Sequence, residues 1–139
     1  MDLKVLALDI ATAAHAGQFD KGGKPYIDHP KKIAQEFKDT TMYIVALLHD
    51  VVEDTGITLK ELRGYGFSGA VCAAIDAITK RQSENYNDYL NRVKENNIAR
   101  AVKIVDLKHN SDLSRITEPT KNDYLRAEKY KQALCYLSE

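Results

Sequence analysis

All seven glycines of this chain fall between Gly17 and Gly69, and beyond Gly69 the one remaining strong chain-breaker is Pro119. Tight hairpins need backbone angles that glycine supplies most cheaply, so the second half cannot be a series of β-hairpins. An all-β fold is excluded, and the chain reads as all-α: helices joined by polar corners. Its 139 residues suit one domain, residues 1–139, with no internal repeat. Apolar residues make up 44% and charged residues 29%, in the range of globular domains rather than disordered chains. Lysine plus arginine equals aspartate plus glutamate at 20 each. That balance argues against a general nucleic-acid or anionic-membrane binder. No apolar run approaches the ~18 residues of a membrane span. The start Met1-Asp2-Leu3-Lys4 lacks the basic and apolar regions of a signal peptide, so a cytoplasmic location is expected. Cys72 and Cys135 lack metal-type spacing and are expected to be two buried free thiols.

Leu3, Leu6, Ala7, Ile10, Ala11 and Ala14 recur at helical spacing, which predicts a helix over 3–16 capped by Asp2. A loop follows to His29. Pro30 suits a first helical position, predicting a helix from there to about 38. Thr40 or Thr41 caps the next, through about Asp54. Thr58 and Glu61 form a T-x-x-E capping box for a short helix ending near Gly64. Ser68 caps a helix to about Thr79. Others follow at about 85–96 and 98–109, and Thr120 caps the last, to about Leu137.

The helix predicted over 42–54 concentrates chemistry on one side. At about 100° per residue, Glu53 lies about 40° from His49, Asp50 about 100° and Asp54 about 140°. Ile44, Val45, Leu48, Val51 and Val52 occupy the other side. A solvated face normally interleaves lysine with glutamate, and 42–54 contains no Lys or Arg. Three acids near a helix C-terminus also oppose the helix dipole, so a compensating positive charge is expected. Ala46 leaves room beneath the cluster. Further ligands are scarce, because the histidines are His15, His29, His49 and His109. His29 stands at a predicted helix start. Asp106 lies late in an apolar helix, where a lone aspartate is costly to bury. Its simpler alternative is a salt bridge to Lys103.

These residues resemble a known family. H-P at 29–30, H-D at 49–50 with E-D at 53–54, and D-x-x-H-N at 106–110 look like the HD-domain metal phosphohydrolases. More narrowly they resemble the (p)ppGpp hydrolase domain of RelA/SpoT type and its small stand-alone relatives. The matching stretches are A-H-A-G-Q at 14–18, G-K-P-Y-I-D-H-P at 23–30, A-L-L-H-D-V-V-E-D-T at 46–55 and V-K-I-V-D at 102–106. The chain has no room for a synthetase domain, so the resemblance implies a free-standing, compact helical HD bundle with its metal site between helices. It implies His29, His49, Asp50 and Asp106 as ligands of one divalent ion, Mn²⁺ in the relatives. Two imidazoles and two carboxylates also suit Fe, Co or Zn. It implies Glu53 and Asp54 as the acid/base pair, with helix-end solvation as their alternative.

Lys21 matches the family lysine that meets substrate phosphate, and Asn110 matches the asparagine that touches the nucleotide. Asn110 has a helix C-cap as its alternative. His15 also matches a family histidine but reads as structural. The implied activity is hydrolysis of a nucleotide phosphate, with removal of the 3′-pyrophosphate from (p)ppGpp as prototype. Its partner is a small-molecule nucleotide, with neither nucleic acid nor membrane. Three alternatives are a phosphatase on another nucleotide, a non-catalytic nucleotide or metal sensor, and a purely structural helical domain. One departure matters: relatives place an arginine that packs on guanine just before the Lys21 position, and here that residue is Asp20. D-R-L-H-N likewise reads D-L-K-H-N, moving the basic residue to Lys108.

Overall fold

The computed structural model describes residues 2–139, apart from the side chain of Arg115. Among the described residues it is built of α-helices, with one 3-10 turn and no β-strand. The helices are α1 (Leu3–Ala14), α2 (Asp28–Ala34), α3 (Thr40–Leu48), α4 (Val51–Asp54), α5 (Leu59–Gly64), α6 (Gly69–Ile78), α7 (Tyr86–Glu95), α8 (Asn97–Asn110) and α9 (Lys121–Ser138). The 3-10 turn spans Leu113–Arg115. No described helix is long and apolar enough to cross a membrane.

Short polar side chains set most starts. Asp2 accepts from Lys4 N–H, Ser68 from Val71 N–H, and Thr58 with Glu61 closes the expected capping box. Thr120 and Asp123 form a second box at the start of α9. Two starts differ from expectation. Asp39, not a threonine, caps α3 by accepting from Met42 N–H. Helix α2 begins at Asp28, which puts Pro30 third. A proline is tolerated there because the first four N–H groups of a helix have no intrahelical partner. The same helix ends early: Glu36 N–H bonds Ile33 O at 3.1 Å and Phe37 N–H bonds Ala34 O at 3.0 Å, tightening the chain into a turn.

Helix α3 is the centre, with α1, α2, α6 and α8 packed on it. Ile44 through Leu48 are all buried. Burying a leucine side chain contributes roughly 1.5–3 kcal/mol, so Leu47 and Leu48 anchor the frame that the site hangs from. Val51 is buried as expected, while Val52 is half-buried. Cys72 is buried but Cys135 is exposed, on the outer side of α9, which corrects the expectation of two buried thiols.

The helix expected over 42–54 is interrupted at His49–Asp50, between α3 and α4. His49 Nδ1–H donates to Ala46 O at 2.6 Å. A continuous helix would use that carbonyl for the Asp50 N–H. The histidine ring thus takes a backbone acceptor at the point where the helix breaks.

Candidate functional site

His29 from α2, His49 from the end of α3 and Asp106 from α8 meet in the interior. Each offers one ligand-type atom within 4.8 Å of the others, and all three residues are buried. His29 Nε2 lies 2.8 Å from Asp106 Oδ1, and His49 Nε2 lies 3.4 Å from the same oxygen. Asp50 is outside that mutual group, but its Oδ2 is 3.1 Å from His49 Nε2. Three of the four expected ligands therefore converge, and the fourth flanks them through His49.

The tautomers follow from the partners. Because Nδ1 of His49 donates to Ala46 O, the neutral ring presents a lone pair at Nε2. That nitrogen is buried and makes no aligned hydrogen bond. A buried nitrogen facing two carboxylates is an arrangement that suits a cation. Burial alone would lower the His49 pKa, but the charges of Asp50 and Asp106 raise it well above the ordinary value. The cluster is thus a place where positive charge is stabilised. His29 Nδ1 and His109 Nδ1 are 2.6 Å apart, so one donates to the other. When His29 is the donor, its Nε2 is free to ligate, and His109 then acts as an outer orienting group.

Asp106 serves two partners. Its Oδ2 takes the Lys103 ammonium at 2.9 Å, and its Oδ1 faces the two histidines. The salt bridge to Lys103 weighed as an alternative to ligation is present, and it leaves Oδ1 facing the histidines. Burial would raise the Asp106 pKa, but Lys103, His29 and His49 hold it well below the usual range. Asn110 Nδ2–H donates to Asp106 Oδ1 at 3.1 Å, so Asn110 braces the carboxylate, and Ser111 takes the C-cap position. Tyr26 O–H donates to Asp50 Oδ2 at 2.5 Å. Its ring stacks on buried His15, whose Nδ1 pairs with Gln18 Oε1 at 2.9 Å, consistent with a structural His15.

Glu53 and Asp54 occupy α4 but diverge. Glu53 Oε1 accepts the Lys80 N–H at 2.7 Å, tying α4 to the end of α6. Asp54 is exposed. Partial loss of hydration, with the nearby charges of Asp50 and Glu53, raises its pKa to about 6.

A cleft of about 320 Å³ opens beside the cluster, lined in part by His29, Asn110, Tyr26, Lys21 and Asp20. That volume is at the low end for small-molecule pockets, roughly 300–1,000 Å³. Lys21 Nζ is 2.9 Å from Asp123 Oδ1 on α9. Asp20 Oδ1 accepts the Lys24 N–H at 2.9 Å, so this acid braces its own loop. Sequence reading missed Tyr26, His109, Asp123 and Arg126. Tyr26 stands inside a matched motif. Asp123 and Arg126 are too far along the chain from Lys21 for any local pattern to join them.

The match to known proteins follows this geometry. A probable GTP pyrophosphokinase of Mycobacterium leprae is 31% identical over 128 residues, 83% of this chain and 16% of that protein. A guanosine-3′,5′-bis(diphosphate) 3′-pyrophosphohydrolase of Haemophilus influenzae is 34% identical over 116 residues, 73% of this chain and 17% of that one. The chain belongs to the RelA/SpoT-type HD-domain family. It spans only about a sixth of the length of these curated relatives. A solved structure described as a metazoan ortholog of SpoT that hydrolyzes ppGpp superposes with a TM-score of 0.81 at 21% identity, covering 99% of this chain and 85% of that one. The all-α HD fold is thereby shared. No family model matches the chain.

Proposed function

We propose that this RelA/SpoT-type HD domain, residues 1–139, is a metal-dependent phosphohydrolase of a small nucleotide, acting in the cytoplasm. The prototype reaction is release of the 3′-pyrophosphate from ppGpp. The observation that carries this reading is the unpartnered Nε2 of His49, buried against Asp106 and Asp50 beside an open cleft. The donor set of two imidazoles and a carboxylate fits a divalent transition ion, with Mn²⁺ first and Fe, Co or Zn as substitutes. His29, His49 and Asp106 would hold it, with Asp50 as the fourth ligand. A divalent ion in such a site supplies Lewis acidity and a more acidic water.

The protein's own groups do the rest. Lys103 and Asn110 fix Asp106, and Tyr26 fixes Asp50. Asp54, with a pKa near 6, is ionised at neutral pH yet basic enough to take a proton from the attacking water. Glu53 is the second member of the pair and holds α4 through Lys80. Lys21 supplies a point charge to phosphate, and Asn110 reaches the cleft from the last turn of α8. The test is Mn²⁺-loaded protein with ppGpp, reading GDP and pyrophosphate separately. Metal-dependent release of pyrophosphate supports the reading, and release of neither product refutes it.

Asp20 favours a second reading, in which another nucleotide is preferred. Its carboxylate lines the cleft and repels phosphate. Under that reading Asp20→Arg improves kcat/KM for ppGpp by roughly two- to thirtyfold, the range of a cation–π contact. A generic phosphate ester is left nearly unchanged. No gain in the variant, with efficient wild-type turnover of ppGpp, rejects it.

A further inference from the structure

Helices α7 and α9 part along one side, and the gap is a second cavity of about 320 Å³ that shares no residue with the cleft beside His29. Its floor is Leu90 and Ala133, both buried. Two contacts between the helices mark its ends. Lys129 on α9 sets its ammonium over the Tyr86 ring of α7, 4.0 Å from the centroid. At the other end the Tyr136 hydroxyl of α9 donates to Asn91 Oδ1 of α7. The α7 members are five residues apart and the α9 members seven, so at 1.5 Å per residue the ends lie about 7–10 Å apart. The rim carries three exposed carboxamides, those of Asn87, Asn91 and Gln132.

Charge here is one-sided. Among the described residues of the lining, Lys129 is the one charged side chain. Lys94, over the far Tyr136 ring, is answered by Glu139 at 3.9 Å. On α9 the positions one turn to either side of Lys129 are Leu125, Arg126, Gln132 and Ala133, none of them acidic. The Tyr86 ring holds the ammonium in place without neutralising it. At that same end the Tyr86 hydroxyl is buried and has no hydrogen-bond partner among the described residues. Buried hydroxyls are normally paired, so this end is open to a further acceptor.

We propose that this groove binds an adenine nucleotide with a single phosphate, at a site apart from the cleft. The phosphate pairs with the Lys129 ammonium, and the base lies on Leu90 and Ala133. Asparagine and glutamine carboxamides offer the acceptor and donor that match the N6 and N7 edge of adenine. Asn91 gives its oxygen to Tyr136 and keeps its amide N–H groups for a ligand. The volume is within the range of small-ligand sites, roughly 300–1,000 Å³. A plain anion needs only the lysine, whereas three carboxamides and an apolar floor select a flat heterocycle attached to it.

The test is titration of AMP into the full chain, followed by NMR of the side-chain amides, with adenosine and ribose 5-phosphate as the two halves of the ligand. AMP should shift the Asn87, Asn91 and Gln132 amide signals saturably, and each half should bind at least about tenfold more weakly. Lys129 is exposed, so Lys129→Gln keeps the fold. It should weaken AMP about tenfold, the loss of one charge-assisted contact, and leave adenosine unchanged. Groove signals that stay in place with AMP overturn the proposal, as does an equal AMP affinity in Lys129→Gln and wild type. Ribose 5-phosphate binding as well as AMP removes the role of the base, adenosine binding as well removes that of the phosphate, and either result overturns it too. The readout needs no turnover, so it holds or fails apart from the proposed phosphohydrolase.

Discussion

Two of the polar clusters in this small helical protein are built on opposite rules. In the first, Arg92 on α7 grips Glu84 with two bonds of 2.7 Å and donates to the carbonyls of Asp76, Ala77 and Thr79 at the end of α6. Charge meets charge, and the remaining N–H groups close a helix end. In the second, His29, His49 and Asp106 are more deeply buried, yet His49 Nε2 makes no aligned hydrogen bond. The closed cluster holds a fold together, whereas the open one is the site we propose for a cation.

The largest way to break this contrast is Asp106→Ala. It removes a proposed ligand and leaves Lys103 buried without its counter-charge, which costs about 3–5 kcal/mol for a broken buried pair. Urea unfolding should show that loss, and metal-dependent hydrolysis should disappear. A variant of wild-type stability would mean that Asp106 is no keystone. Next comes Asp54→Asn, expected to lower kcat by roughly 10²–10⁴ while the ion still binds. Glu53→Gln should cost less, because an amide oxygen can still accept the Lys80 N–H. Equal losses would restore the two carboxylates as an undivided pair.

Arg92→Ala sharpens the comparison from the other side. It should lower the thermal midpoint and leave the Mn²⁺ dissociation constant within about twofold, as expected for separate sites. A large change in metal affinity would join the two clusters energetically.

The smallest effect is in pH. Hydrogen bonds from Arg92 lower the Glu84 pKa to about 2 from 4.5. Its contribution to stability is therefore complete above about pH 4.5 and is lost as pH falls towards 2. Asp54 is shifted the other way, from 3.8 to about 6. Its ionisation opposes folding, and that opposition is relieved as pH falls from 6 towards 3.8. Acid unfolding of Glu84→Gln and Asp54→Asn should separate these opposite slopes. Activity should fall on the acid side at or below about pH 6, where Asp54 protonates.

What could be read from the sequence was local. Asp2, Thr58 and Ser68 cap helices because a short side chain need reach only two or three residues along, and that spacing is visible in one dimension. His29, His49 and Asp106 were legible because motifs carry them. The break at His49–Asp50 was not, since helical periodicity does not show that a ring nitrogen takes the Ala46 carbonyl. Nor does sequence show that Asp106 divides its oxygens between Lys103 and the histidines. The Lys21–Asp123 bridge spans 102 residues and exists only once α9 has docked.

The most direct test of the central claim is an anomalous-difference map from crystals grown with Mn²⁺. The account predicts one strong peak between His29 Nε2, His49 Nε2 and Asp106 Oδ1, with Asp50 beside it. A map without that peak, or with the ion held elsewhere, would contradict it.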